Sequence, residues 1–174
     1  MNSSRHKLLF MLLAILASPP NALADTASKH AIEAAFLYNF ALFTQWPNLA
    51  ASNSFNICVL AENPFGAAFE RLGEKRIENL PVHTRIMRTP EEAVNCHILF
   101  VPASGHRAMR NIANTLQDTP VLIVSEVNGY NPNDVMIMLG EESGRVNFQI
   151  NHSATQRAGL KVSSKLLRLA RRVY

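Results

Sequence analysis

The sequence predicts a single three-layer α/β domain, in which a mostly parallel sheet is flanked by helices and followed by a late antiparallel hairpin. Short apolar runs alternate with segments of helical periodicity, which is typical of a parallel sheet covered on both faces. Two runs, Phe55–Leu60 and Ile98–Val101, are almost entirely apolar, as expected of strands buried on both faces. Near the end, two strand-like segments at 135–139 and 145–150 are joined by a glycine-containing loop at 140–144, which indicates a hairpin.

The first 24 residues are expected to be a cleaved signal peptide. Arg5 and Lys7 give it a positive start, and residues 8–17 form an apolar run too short to span a bilayer. Its last three residues, Ala-Leu-Ala, have the small-x-small form of a cleavage site. Cleavage leaves residues 25–174 as one exported domain, which in a Gram-negative cell means the periplasm. The alternative is an uncleaved anchor, which the shortness of the run disfavours.

The mature chain is predicted to begin with an aromatic helix at about 28–44. The proline at position 47 ends it, because proline disfavours the helical conformation in the residue before it. The predicted apolar stripe consists of Ile32, Phe36, Phe40 and Phe43. This stripe belongs either to the core or, in part, to an interface with a twin subunit.

Four strands and three helices are predicted to alternate after this helix. The strands are 55–60, 80–86, 98–101 and 121–124, and the helices are 64–72, a short one opening at 90 and 106–116. Pro64 suits a helix start, since its fixed backbone angle and missing N–H cost nothing there. Glu91 and Glu92 fall in a first helical turn, where acids complement the helix dipole.

Two short helices are predicted to close the chain. Ser153 and Gln156 read as a capping box for the first of them, and Gly159 as its stop. Ser163 or Ser164 then caps the second helix. The predicted apolar stripe of that helix is Leu166, Leu169, Ala170 and Val173, with Lys165, Arg168 and Arg172 on another face.

Charge argues against a nucleic-acid partner and singles out the end of the chain. Without the leader there are 15 basic and 13 acidic residues, a net charge of +2 that is too small for a nucleic-acid-binding domain. No acid follows Glu142, whereas seven basic residues do: Arg145, Arg157, Lys161, Lys165, Arg168, Arg171 and Arg172. They form either an ordinary solvated surface or a docking surface for an acidic partner or anionic headgroups.

The two cysteines, Cys58 and Cys96, are expected to form a disulfide. An even count in an oxidising compartment favours pairing. If the strands that carry them are neighbours, their Cα atoms fall within the roughly 4.4–6.8 Å that a disulfide requires. The alternative is two buried free thiols that behave as small hydrophobic groups.

No catalytic, cofactor or metal motif stands out. Ser104 and His106 lie in a loop after a strand, and a triad with Asp118 can be drawn, but no G-x-S-x-G elbow supports it. The histidines neither pair at i, i+4 on a helix nor lie beside a cysteine at zinc spacing. A glycine-rich phosphate loop is also missing. These residues therefore predict no cofactor and no metal, and a hydrolase that uses Ser104, His106 and Asp118 is kept as a third hypothesis behind the two functions given at the end of this subsection.

Five segments keep a characteristic order and spacing along the chain. They read AAFLYNFALFTQWP, FNICVLAENPFG, CHILFVP, GRVNFQIN and RAGLKVSSKLLRLA. Together they resemble the YfiR family of periplasmic proteins. That resemblance implies a homodimer that is not an enzyme. It implies that the protein represses an inner-membrane diguanylate cyclase by binding its periplasmic region, lowers cyclic di-GMP, and so controls biofilm formation and motility. It also implies an OmpA-like outer-membrane lipoprotein that sequesters the repressor.

The chain departs from the best-known pattern of the family in one respect. That pattern includes a second cysteine pair in the later half, which is missing here. Any redox role therefore rests on Cys58 and Cys96 alone.

Two functions of the protein fit these observations. The first is the regulator, with Lys165, Arg168 and Arg172 as the expected partner-binding residues and the loop carrying Ser104 and His106 as the second choice. The second is a small-ligand sensor, whose pocket would lie at the carboxyl ends of the strands. Its expected lining comprises residues 61–64, 102–106 and 125–130.

Overall fold

The computed structural model describes residues 21–126 and 134–174. Its helices are α1 (Asn21–Leu42), α2 (Ala67–Leu72), α3 (Met109–Leu116), α4 (His152–Arg157) and α5 (Ser164–Leu169). Its strands are β1 (Thr44–Gln45), β2 (Phe55–Leu60), β3 (Arg76–Ile77), β4 (Leu80–Met87), β5 (Ile98–Val101), β6 (Leu122–Glu126), β7 (Ile137–Glu142), β8 (Arg145–Ile150), β9 (Lys161–Val162) and β10 (Arg172–Val173). Short 3₁₀ helices cover Leu49–Ala51, Pro90–Asn95 and Ala103–Ala108.

One large sheet organises these elements, in the order β10-β8-β7-β6-β5-β2-β4-β3. The five strands from β7 to β4 run parallel, β8 folds back antiparallel to β7, and β10 lies parallel to β8. A small antiparallel sheet pairs β1 with β9. The predicted α/β class, with a mostly parallel sheet and a late hairpin, is confirmed. The turn signals at 128–132 lie outside the described residues.

The middle of the sheet is the core. All four residues of β5 are fully buried, and β2 is buried at every position except Asn56. Helix α1 covers one face through Leu37 and Phe40, and the Phe40 ring meets Phe148 of β8 edge-on at 5.2 Å between centroids. Burying each such side chain stabilises the fold by about 1.5–3 kcal/mol. The apolar runs that predict β2 and β5 are thus explained by burial on both faces.

The disulfide between Cys58 and Cys96 is confirmed. Cys58 lies in β2, and Cys96 lies two residues before β5, which is the neighbour of β2 in the sheet. The two Cα atoms are 6.0 Å apart, within the usual range for a disulfide. Both side chains are buried, so the bond lies inside the core.

The buried face of α1 differs from the predicted stripe. Phe40 is fully buried, but Ile32 and Leu42 are 46% and 49% exposed. The residues that face the core are Ala34, Leu37, Phe40 and Ala41. Because alanine is small, the two alanines allow the helix to lie close to the sheet. The prediction had instead placed the larger apolar side chains on the buried face.

The hairpin is tighter than predicted. Strand β7 continues through Glu142, so a two-residue turn replaces the predicted five-residue loop. Ser143 and Gly144 both have positive φ angles, 51° and 72°, as in the turns that match the twist of a hairpin. The polar residues Glu141 and Glu142 therefore extend a strand rather than form a loop.

The end of the chain is a strand and not the predicted continuation of the last helix to Val173. Helix α5 ends at Leu169, the Arg171 N–H donates to the Phe148 carbonyl, and β10 pairs with β8. The open edge of β8 offers hydrogen bonds to the backbone at the end of the chain, and these are favoured over the hydrogen bonds of another helical turn. The predicted helical stripe is consequently wrong: Leu166 is buried, but Leu169 is 64% exposed and Val173 is 44% exposed.

The caps of the two short helices were predicted with mixed success. Asn151 caps α4, since its side-chain oxygen accepts from the Ala154 N–H at 2.9 Å, so the predicted capping box at Ser153 is wrong. Ser163 caps α5 as predicted, accepting from the Leu166 N–H at 3.2 Å.

We expect the combined change Cys58→Ser and Cys96→Ser to lower the free energy of unfolding by about 2–4 kcal/mol, because the unfolded chain regains the freedom that the cross-link removes. Urea unfolding of oxidised protein measures the loss. Wild-type protein treated with a reductant should match the variant. Equal stability of the oxidised and reduced forms would contradict the prediction.

His97 makes stability depend on pH. Its ring stacks on Phe55 at 4.6 Å and its Nδ1 accepts from the Asn56 N–H at 2.9 Å, while burial lowers the pKa of the imidazole from 6.5. Between its folded and unfolded pKa values the folded state binds fewer protons than the unfolded chain. The free energy of unfolding should therefore fall as the pH drops below about 6.5.

The variant His97→Asn tests this, because asparagine keeps an acceptor and does not titrate. Urea unfolding between pH 7.5 and pH 5 should show a flatter pH dependence of the free energy of unfolding for this variant than for wild type. Each unit of pKa difference between the folded and unfolded states corresponds to about 1.4 kcal/mol. His83→Asn, at an exposed histidine of β4, is the control and should follow wild type. A wild-type slope in His97→Asn would remove His97 as the cause.

Candidate functional site

The C-terminal surface is the first candidate site. We define it as the exposed residues Lys165, Arg168, Leu169, Arg172, Val173 and Tyr174. Its first part lies on α5, which is held by the Ser163 cap and the buried Leu166. Its second part lies on β10, which is held by pairing with β8 and by the Tyr174 hydroxyl, which donates to Gln149 Oε1 at 2.6 Å. Two elements thus present basic and apolar side chains together.

Two of the three cations of this surface contact aromatic rings. Lys165 Nζ lies 5.1 Å from the centre of the Phe43 ring, and the Arg172 guanidinium lies 5.7 Å from the centre of the Tyr174 ring. Within 21–126 and 134–174, no ion pair involves Lys165, Arg168 or Arg172. Arg171 differs, because it pairs with Glu142 at 2.8 Å. The three cations therefore remain accessible to carboxylates of another molecule.

Strand β10 also leaves backbone groups open. It is the terminal strand of the large sheet and pairs with β8 on one side. An edge strand presents N–H and C=O groups on which an extended segment of another protein can add a strand. The C-terminal surface can therefore offer both charge and backbone hydrogen bonds to a partner.

The second-choice partner residues lie elsewhere. Ser104 is exposed in the 3₁₀ helix that follows β5, and β5 is four strand positions from β10, or about 19 Å at the usual spacing. Nothing is described of the His106 side chain. The structure thus does not bring Ser104 together with Lys165, Arg168 and Arg172.

The imagined catalytic triad has no geometric support. Ser104 precedes α3 and Asp118 follows it, so the length of that helix, about 12 Å, separates them. Asp118 instead accepts a hydrogen bond from Gln117 Nε2 at 3.2 Å. Ser125, also in a position where α/β folds place sites, is buried and donates to the Val101 carbonyl at 2.6 Å.

A cavity of about 240 Å³ is the second candidate site. It lies at the carboxyl ends of β6 and β7, the edge where open α/β sheets bind ligands. Its lining is Lys29, Glu33, Glu126, Leu139, Gly140, Glu141, Asn147, Gln149 and Arg171. Of the lining expected for a small-ligand pocket, only Glu126 contributes, and residues 127–130 lie outside the described part of the chain.

Glu33 is the unusual residue of this cavity. Its side chain is 2% exposed, and its Oε2 has no hydrogen-bond partner among the described residues. Burial raises the pKa of Glu33 to about 7, partly offset by Lys29, whose Nζ is 3.6 Å from Oε1, and reinforced by Glu126 and Glu141. A carboxylate in this position is poorly compensated and available to a further cation.

Sequence reasoning missed a small cluster at this cavity. Potential ligand atoms of His30, Glu33 and Glu126 all lie within 4.8 Å of one another. His30 and Glu33 are three residues apart on a predicted helix, which was a usable signal, since such residues share a face. Glu126 could be added only once the packing of α1 on the sheet was known.

A model of the YfiR/HmsC-like family matches residues 30–171, which is well over half of the chain. The chain belongs to the YfiR/HmsC-like family. Members of this family are periplasmic regulators connected with diguanylate cyclase, and the family is regulatory rather than catalytic. The matched range includes both cysteines, α5 and every residue of the cavity lining except Lys29, but ends before Arg172, Val173 and Tyr174.

Among the described residues, no helix combines the length and apolar character needed to cross a membrane.

Proposed function

We propose that this protein is a periplasmic repressor that binds the periplasmic region of an inner-membrane diguanylate cyclase, lowers cyclic di-GMP, and so controls biofilm formation and motility. The match of residues 30–171 to the YfiR/HmsC-like family is the observation that carries the proposal. The predicted signal peptide at 1–24 supports it, since the proposal requires export of residues 25–174.

Repression of this kind is a shift between two conformations of the cyclase. The repressor lowers activity only if it binds the inactive conformation more tightly than the active one. Each tenfold preference corresponds to about 1.4 kcal/mol. One well-placed contact surface is therefore sufficient, and the repressor needs no chemistry of its own.

The C-terminal surface is the proposed contact. Its three cations, Lys165, Arg168 and Arg172, have no ion pair within the described part of the chain and suit an acidic partner segment, and the open edge of β10 suits an extended one. Apolar area from Leu169 and Val173 adds affinity that does not depend on salt. Ser104 and His106 remain a second proposed contact, separate from the first.

Two further partners belong to the proposal. An OmpA-like outer-membrane lipoprotein would relieve repression by sequestering this protein. A second copy would form a homodimer, for which the exposed Ile32 and Leu42 of α1 offer an apolar face.

A small-ligand sensor is the second candidate function. The 240 Å³ cavity beside Glu33 favours it, since that cavity lies where open α/β folds bind ligands. Its polar and charged lining would suit a small charged solute. The two functions are compatible if such a ligand tunes repression.

Reversing charge on the C-terminal surface should weaken partner binding with little loss of stability. In the variant Arg168→Glu with Arg172→Glu, both changed side chains are exposed, so we expect the thermal midpoint to move by only a degree or two, and affinity for the cyclase's periplasmic region to fall at least tenfold. Surface-immobilised binding and thermal unfolding measure the two quantities.

Arg110→Glu is the matched control, because Arg110 is an exposed arginine on another element, α3, and is not part of this surface as defined. It should bind like wild type. Unchanged affinity in the double variant would exclude the C-terminal surface, and loss of folding would show that the two arginines serve the structure.

Deletion of the gene should raise cellular cyclic di-GMP, since the proposed repressor is then missing. Complementation from a plasmid should restore the low level with wild type and with Arg110→Glu, but not with the double charge reversal. Mass spectrometry of cell extracts measures the nucleotide. An unchanged level under several envelope stresses would contradict repression and favour the sensor, for which a thermal-shift screen of periplasmic metabolites is the next step.

A further inference from the structure

We propose that His30, Glu33 and Glu126 form a binding site for one divalent transition-metal ion, with zinc as the ion that best suits these donors. The inference is independent of the proposed repressor function. It rests on the geometry of the cavity at the carboxyl ends of β6 and β7.

Two elements bring the ligands together. Helix α1 places His30 and Glu33 on one face, three residues apart, and β6 ends at Glu126. The imidazole nitrogen and the two carboxylate oxygens lie within 4.8 Å of one another. Donor atoms around a tetrahedral zinc ion are roughly 3.4 Å apart, given bonds of about 2.1 Å. Small side-chain rotations therefore suffice to close the cluster on an ion.

The buried carboxylate of Glu33 is the second and separate observation. Its side chain is 2% exposed, lines the cavity, and has an Oε2 without a hydrogen-bond partner within the described ranges. Buried carboxylates are normally paired, hydrogen-bonded or bound to a metal. Only one oxygen of Glu33 has a cation nearby, Lys29, and the 3.6 Å contact is long.

An ion that binds at Glu33 would still leave Lys29 with an acidic partner. Its Nζ also lies 3.8 Å from Oε2 of Glu141, which lines the same cavity. An ion at Oε2 of Glu33 would leave the Lys29–Glu141 contact in place. Three glutamates border the cavity against Lys29 and Arg171, so the lining is negative when all three are ionised and attracts a cation.

The donor set favours zinc over the hard cations. Imidazole nitrogen and carboxylate oxygen are both ligand types that zinc accepts, and three protein ligands leave a fourth position for water. Calcium and magnesium prefer sites made of oxygen ligands alone. The open cavity beside the cluster gives an ion and its water a route from solvent.

Zinc binding by tag-free protein, secreted with its own leader and stripped with a chelator, tests the site. Competition with a chromophoric chelator should give one zinc ion per chain. We expect Glu33→Gln, which keeps the size of the side chain and removes its charge, to weaken zinc binding at least tenfold. Zinc should also raise the thermal midpoint of wild type more than that of this variant.

Matched variants separate the cluster from chance binding by surface histidines. His30→Phe removes a ligand but retains an aromatic ring beside Phe65, which His30 meets edge-on at 6.4 Å. His83→Asn, at the exposed histidine of β4, should bind zinc like wild type. If Glu33→Gln does not fold, the half-buried Glu126→Gln provides the same measurement.

Several results would overturn the site. They are wild-type affinity in Glu33→Gln or Glu126→Gln, equal losses in His30→Phe and His83→Asn, or tighter binding of magnesium than of zinc. One zinc per chain, weakened by changes at all three ligands and unaffected at His83, would establish it.

Discussion

Burial of β2 on both faces is the constraint on which the rest of the structure depends. This strand has β4 on one side and β5 on the other, and its side chains are enclosed above and below. Its backbone N–H and C=O groups form hydrogen bonds with the two neighbouring strands. An apolar sequence can therefore occupy the centre of the sheet without leaving buried polar groups unpaired. The disulfide from Cys58 then fixes the approach to β5. Functional residues consequently lie at the edges and ends of the sheet.

Prediction from sequence succeeded where burial alone decides structure. The bounds of β2 and β5 were predicted correctly because a short apolar run has few alternatives at the centre of a sheet. It failed at Arg172 and Val173, which have helical spacing in the sequence but form a strand, because β8 offers hydrogen-bond partners to their backbone. It also misjudged α1, since Ala34 and Ala41 face the core and the larger Ile32 does not. Local pattern cannot show which competing long-range contact prevails.

The two candidate sites also differ in how much of each could be predicted from the sequence. The basic character of the C-terminal surface follows from composition, because no acid occurs after Glu142. Its division between a helix and an edge strand, and the aromatic rings beneath Lys165 and Arg172, required the structure. The cluster of His30, Glu33 and Glu126 was harder still, since Glu126 is more than 90 positions along the chain from the other two and meets them only through packing.

The covalent bond between Cys58 and Cys96 has one more consequence, because of what the chain does between them. The intervening residues form α2, β3, β4 and the 3₁₀ helix Pro90–Asn95, so one whole flank of the sheet lies inside a covalent ring. A protease that cuts once anywhere in that ring does not release a fragment. The nicked protein stays a single molecule until a reductant opens the bond, so electrophoresis without reductant would not show the cut.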